Sequence, residues 1–326
     1  MFTPLVSILI NNYNYGRFLG AAIESALSQD YPSIEIVVVD DGSTDNSRDI
    51  IDRYAGRIIS VIKENGGQAS AFNAGFAASQ GEILCFLDAD DLFNPEKVGR
   101  VVKAFLEQGL NSRSLMVHHL LAVKNETGKE IRELYAGRTH TSPMNLYDFA
   151  KRHRCLYYEA GPTTTLSINR ALANRLFPIP EKGVRVSADD FVVLGASLVG
   201  ELHSLQETLG SYRVHGHNNW YGDGRPKPPE YKHALETYLN AKLSESGLEP
   251  VISYEKSMHA WPGLRDRRQW IRLYWLMLRV CFRDRDRKTF AAAYHTTIEI
   301  GMMAMKTIRR KRAALLGKHD ERQRTL

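Results

Sequence analysis

Cysteine is scarce in this chain. The three present, Cys85, Cys155 and Cys281, are far apart and show no metal-ligand spacing. That excludes a disulfide framework and a cysteine-bound zinc cluster, and reads as reduced thiols in a cytoplasmic protein. Long apolar runs are missing too: none approaches the roughly 20 residues of a membrane-spanning helix. The first basic residue is Arg17. The start therefore lacks the charged region and cleavage site of a secretory signal, and a cytoplasmic location is expected. No internal repeat breaks the chain into an array.

What is present is ordinary in amount and uneven in placement. With 326 residues, 43% apolar and 25% charged, the chain can bury a full core. Its net charge of +6 is segregated: residues 262–326 carry 17 Lys/Arg against 6 Asp/Glu, a net of +11, which leaves −5 on the rest. A solvated helix face fits this tail, and so does an anionic partner. In 265–287, Trp270, Leu273, Tyr274, Met277, Cys281 and Phe282 share one face flanked by arginines. The partner expected on that pattern is an anionic membrane surface reached peripherally, not nucleic acid.

Apolar runs at 5–10, 34–39, 58–62 and 83–87 alternate with helix-spaced stretches at 18–28, 45–54 and 69–78. Strand–helix alternation of this kind predicts βαβ units and a parallel sheet. A helix is expected after Pro95, a hairpin over 115–123 and 130–134, and a strand over 162–168. A helix over 188–199 and strands at 202–205 and 209–214 follow. The Gly/Pro-rich loop from His215 to Pro229 precedes a helical remainder. The expected division is a catalytic α/β domain over 1–228 and a helical, basic extension over 229–326.

The run 83–87 ends in Asp88-Ala89-Asp90-Asp91, three carboxylates in four residues. Ligands of open α/β sheets bind beyond the carboxyl ends of the strands. Like charges this close repel unless a cation sits among them, and hard divalent cations take oxygen ligands together with phosphates. A metal–diphosphate site is one reading; an acidic cap on the helix after Pro95 is the other. The second strand ends in another pair, Asp40-Asp41. Two acidic pairs at one sheet edge exceed what caps need.

Four stretches together resemble glycosyltransferase family 2. They are 6–10 with Asn12-Tyr13-Asn14; 36–39 with Asp40-Asp41-Gly42-Ser43; 65–75, opening Asn65-Gly66-Gly67 and including Asn73; and Gly81-Glu82 through Asp91. The match is strong over 3–110 and weaker to about 220. It implies a GT-A fold: a mostly parallel, Rossmann-like sheet with helices on both faces, here followed by the helical extension. It implies inverting transfer of one sugar from a nucleotide-diphosphate sugar, a UDP-sugar first. The acceptor would be a glycan or a lipid-linked hydroxyl, in cell-surface polysaccharide or glycolipid synthesis, and the cofactor Mn²⁺ or Mg²⁺. Donor contacts are implied for Asn12, Tyr13, Asp41, Gly67, Asn73, Asp88 and Ala89, with Asp41 at the nucleobase and Asp88 near the ribose. Asp90 is implied to hold the metal, with His215 beside it or the phosphate. Asp190, in the pair Asp189-Asp190 that opens a later helix, takes the position of the general base. Asp40, Asp91 and Asp189 support these.

Two departures stand out. Phe72 occupies a position where many members carry Arg, and Gln269-Trp270-Ile271-Arg272-Leu273 falls short of the motif of processive members. The alternatives are a metal-dependent nucleotidyltransferase and a non-catalytic nucleotide-sugar binding module. The turn 11–16 lacks the Gly-rich basic loop of the former. Retention of Asp41, Asp88, Asp90 and Asp190 argues against the latter.

Overall fold

A computed structural model describes residues 3–134, 145–153, 161–216, 218 and 227–253. The chain forms two compact units, Met1–Pro262 and Gly263–Leu326, and every described residue lies in the first. The tail pattern of 265–287, Cys155 and Cys281 fall outside the described residues. Among the described residues no helix is long and apolar enough to cross a membrane.

The four apolar runs become β1 (Val6–Asn12), β2 (Ile34–Asp40), β3 (Ile59–Ile62) and β4 (Ile83–Asp88), all parallel, with β1 between β2 and β4. Ile36–Val39 of β2 and Ile83–Leu87 of β4 are apolar throughout because both faces are covered, while β3, at the sheet edge, is largely exposed. Val6, Ile8 and Ile10 pack with Leu19 and Ile23 of α1 (Gly16–Leu27) and with Val101 and Phe105 of α4 (Lys97–Gln108). On the other face α3 (Gln68–Ala78) lies close, and Phe72 meets Phe86 with ring centroids 5.1 Å apart. The short α2 (Ser47–Asp52) links β2 to β3.

Beyond β4 the sheet changes character. Its order is β3-β2-β1-β4-β8-β6-β9-β5, with β7 pairing β6. β8 (Leu166–Asn169) runs antiparallel to β4 and to β6 (Leu115–Asn125), and β9 (Glu201–Val214) runs parallel to β6. β5 (Leu92–Phe93) pairs antiparallel with β9, and β7 (Glu130–Leu134) forms the expected hairpin with β6. The sheet is thus parallel through its first four strands and mixed beyond them. The remaining helices among the described residues are α5 (Tyr147–His153), α6 (Arg170–Leu176), α7 (Asp189–Val199) and α8 (Pro229–Glu245).

Three expectations shift. The strand expected over 162–168 begins as a 3-10 turn, Thr163–Thr165, whose Thr165 hydroxyl donates to Pro162 O. The two strands at 202–214 are one, with register shifts against β6 near its middle. Residues 229–253 lie within the first unit rather than opening the second: Leu235, Leu239 and Leu243 of α8 are fully buried, and Tyr238 meets Phe191 of α7.

Candidate active site

The parallel register carries polar residues to one sheet edge in pairs. Asn11 stands opposite Asp88, and Asn12 opposite Asp40. Neighbouring residues of a strand point to opposite faces, so the two pairs project on opposite sides. Asn11 Nδ2 donates to Asp88 Oδ1 at 2.8 Å, and Asn12 Nδ2 donates to Asp40 Oδ1 at 2.8 Å. Asp40, fully buried, also accepts from the Ser43 amide and lies 3.6 Å from Arg48. It fastens the end of β2.

Asp41 organises the loop that enters α3. Its Oδ1 accepts from the Gly66 amide at 2.9 Å and from Lys63 Nζ at 2.7 Å; its Oδ2 accepts from the Gly67 amide at 2.7 Å. Gly67 has φ +90°, and a Cβ there would fall 2.7 Å from Arg185 Cα. Only glycine meets both demands. Arg185 O in turn accepts from the Gln68 amide, and Gln68 Oε1 accepts from the Ala188 amide. The entrance of α3 is thereby tied to the entrance of α7.

The acidic run after β4 divides by environment. Ligand oxygens of Asp88, Asp90 and Asp91 lie within 4.8 Å of one another. Asp91 is fully buried and braced: Thr164 Oγ1 donates to its Oδ2 at 2.5 Å, and the Arg213 amide donates to its Oδ1 at 3.0 Å. Thr164 Oγ1 also accepts from the Asp88 amide at 3.2 Å. Burial, with the charges of Asp90 and Asp88 beside it, pushes the Asp91 carboxyl well above the usual range. Asp88 is pushed up to about 8, chiefly by burial and then by the charge of Asp90. A cluster that resists ionisation this strongly is the donor set a hard divalent cation fits. Asp90, implied at the metal, and Asp88, which the resemblance implied near the ribose, are the residues suited to hold it, since Asp91 is spent on the fold.

His215, expected at the metal or phosphate, does meet Asp90: its Nε2 is 2.9 Å from Asp90 Oδ2. Asn218 Oδ1 accepts from the His215 amide. The imidazole packs against Tyr15 and Phe18, with centroids at 5.5 and 4.5 Å. Arg17 and Arg213 both lie over the Phe18 ring, so cationic groups border the acids.

At the start of α7, Asp189 and Asp190 have different neighbours. Asp190 Oδ2 accepts from Tyr231 Oη at 2.5 Å and lies 3.8 Å from Lys227 Nζ. Asp189 is raised to about 7 by burial and by the charge of Asp190, and its own charge adds to the rise at Asp88. The α7 entrance therefore adjoins the acidic cluster.

Of the other expected donor contacts, Tyr13 is exposed at 47% and Ala89 is buried beneath the acidic turn. Asn73 is spent elsewhere: Nδ2 donates to Ile179 O and Glu181 Oε1, and Oδ1 accepts from the Ile179 amide. It braces α3 against 179–181 and is not brought to the acids. Thr164 lies in the stretch expected as a strand, and its hydroxyl joins Asp91 to the Asp88 amide. Tyr231 and Lys227 were missed altogether, because no local pattern marks them.

Comparison with known proteins follows this geometry. The glycosyl transferase family 2 profile matches residues 7–149. An uncharacterized glycosyltransferase of Nostoc sp. is 38% identical over 224 residues, covering 66% of each chain. One of Rickettsia typhi is 45% identical over 97 residues, covering 30% of each. The match thus reaches 66% of the length of the first relative and 30% of the second. Among solved structures, S. aureus TarS in complex with UDP-GlcNAc superposes with a TM-score of 0.58 at 17% identity, over 84% of this chain and 79% of that one. That likeness is one of fold.

Proposed function

The chain belongs to glycosyl transferase family 2, and on that footing we propose that it transfers a single sugar from a nucleotide-diphosphate sugar to an acceptor hydroxyl, with inversion. The observation that carries this reading is the convergence of Asp88 and Asp90 at the carboxyl edge of parallel strands, beside His215 and bordered by arginines. A leaving diphosphate gains negative charge, and a divalent cation, Mn²⁺ or Mg²⁺, held by Asp88 and Asp90 would offset it as a Lewis acid. The Asp41 loop walls the nucleoside side. UDP-GlcNAc, the ligand of the S. aureus relative, is the first donor to test.

Asp190 takes the acceptor proton in this reading. The acceptor oxygen forms its bond to the anomeric carbon opposite the leaving group. The old C1–O bond breaks, and its electron pair leaves with the nucleoside diphosphate. One displacement inverts the centre and needs one base. The acceptor is proposed to be a glycan or lipid-linked hydroxyl, reached at the cytoplasmic face of a membrane. The test is a thermal-shift screen of UDP-, GDP- and dTDP-sugars with Mn²⁺, since a ligand of the native state raises its stability. One sugar nucleotide should raise the melting temperature of the wild type and leave Asp90→Asn unmoved. Equal shifts in both proteins would remove Asp90 from the site.

A further inference from the structure

Asp190 is gripped from a helix that lies outside the family match, and the grip has a chemical direction. α8 opens with Pro at its first position, whose fixed φ suits a helix start. It is fastened to α7 and α6: Phe191 of α7 meets Tyr231 edge-on at 5.5 Å and Tyr238 at 5.3 Å, and Tyr238 Oη donates to Leu176 O of α6. Tyr231, in the first turn, is 2% exposed. Its hydroxyl reaches two acceptors, Asp190 Oδ2 at 2.5 Å and Ser187 O at 3.0 Å. A phenol has one proton to give, and a carboxylate attracts it more strongly than a carbonyl.

The turn being gripped is not a relaxed one. Ser187 has φ +60°, a left-handed conformation that is uncommon for a residue with a side chain. Three outside groups hold it: Tyr231 Oη on Ser187 O, Lys227 Nζ on Ser187 Oγ, and Gln68 Oε1 on the next amide. Lys227 Nζ also lies 4.8 Å from the centre of the Tyr231 ring and 3.8 Å from Asp190 Oδ2. The phenol donates to the carboxylate and the ammonium stands beside it, so both fix where that carboxylate lies.

We propose that Tyr231 and Lys227 are positioning residues for the transfer reaction. They hold the Asp190 carboxylate in the one orientation from which it takes the acceptor proton. The proposal rests on Asp190 as base and adds that α8 sets its competence. It also implies that residues 1–228 alone would lack the completed site.

The test uses the full chain, UDP-GlcNAc and Mn²⁺, with water as acceptor, and reads the rate of UDP release. Tyr231→Phe keeps the ring and removes the proton. It should lower kcat about tenfold and leave the KM for UDP-GlcNAc unchanged. Lys227→Gln should lower kcat in the same way, with KM unchanged. In an Asp190→Asn background, Tyr231→Phe should cost nothing further. An equal tenfold loss in both backgrounds would overturn the proposal, because Tyr231 would then act apart from Asp190. Unchanged kcat in Tyr231→Phe, with Asp190→Asn inactive, would overturn it while leaving the base in place. Full activity of Asp190→Asn would instead remove the base itself.

A ligand-free measurement runs beside it. A double-mutant cycle on urea unfolding should show Tyr231 and Asp190 coupled by about tenfold in the unfolding constant at pH 7. Additive effects at pH 7 would contradict the grip.

Discussion

Cation binding to this site should depend steeply on pH, and the dependence follows from Asp88. Its carboxyl is pushed up to about 8, first by burial and then by the charge of Asp90. Without a cation it holds a proton at neutral pH, and a cation must displace that proton to bind. For one displaced proton the apparent dissociation constant scales as 1 + 10^(8 − pH). Between pH 6 and pH 8 that factor falls from about 100 to about 2, so affinity should rise by more than tenfold. At pH 7 each bound ion should release most of one proton. Titration calorimetry with Mn²⁺ in buffers of different ionisation enthalpy reads both quantities. Asp189→Asn removes one charge that raises Asp88, and should flatten the rise. An affinity constant across pH 6–8, with no proton release, would refute the placement of the ion at Asp88.

Two further predictions concern other parts of the chain. Lys97 is fully buried, its Nζ donating to Ser167 Oγ at 3.2 Å and lying 3.9 Å from the centre of the Phe93 ring, and burial pushes its pKa down. A depressed amine costs stability at neutral pH and regains it as pH rises toward the unfolded value. Lys97→Met should therefore raise stability in urea unfolding by about 1–2 kcal/mol at pH 7, with the gap narrowing by pH 10; a less stable variant would mean the ammonium is holding the core together. The basic tail should bring the protein down with acidic liposomes at low salt and release it in 1 M salt, where screening acts within about 3 Å. Equal partition onto neutral liposomes would count against an electrostatic contact.

The first half of the fold was readable because its central strands are doubly covered. Ile8–Ile10, Ile36–Val39 and Ile83–Leu87 are continuous apolar runs that end in polar residues at one edge. The mixed half was harder. Gln206 and Glu207 interrupt the apolar pattern of β9, yet the strand continues through its register shifts against β6. β5 has two residues, too few for any period to register. α6 was overlooked although Asn169 caps it through the Leu172 amide, a signal the sequence does contain.

At the site, Asp88, Asp90, Asp40 and Asp41 announced themselves by clustering at strand ends. Their separate duties did not, since they depend on distant partners: Thr164 and Arg213 for Asp91, Lys63 and the Gly66 and Gly67 amides for Asp41. The bond from Tyr231 to Asp190 spans 41 residues and joins two helices by tertiary packing alone. No local spacing encodes such a contact.

The central claim is tested most directly by identifying what leaves the donor. The sugar nucleotide that stabilises the protein is incubated with Mn²⁺ and a glycan or lipid-linked acceptor extract, and the products are resolved by mass spectrometry. The account predicts nucleoside diphosphate and an acceptor heavier by one sugar, lost on EDTA addition and in Asp90→Asn. Release of pyrophosphate, or undiminished transfer in excess EDTA, would contradict it.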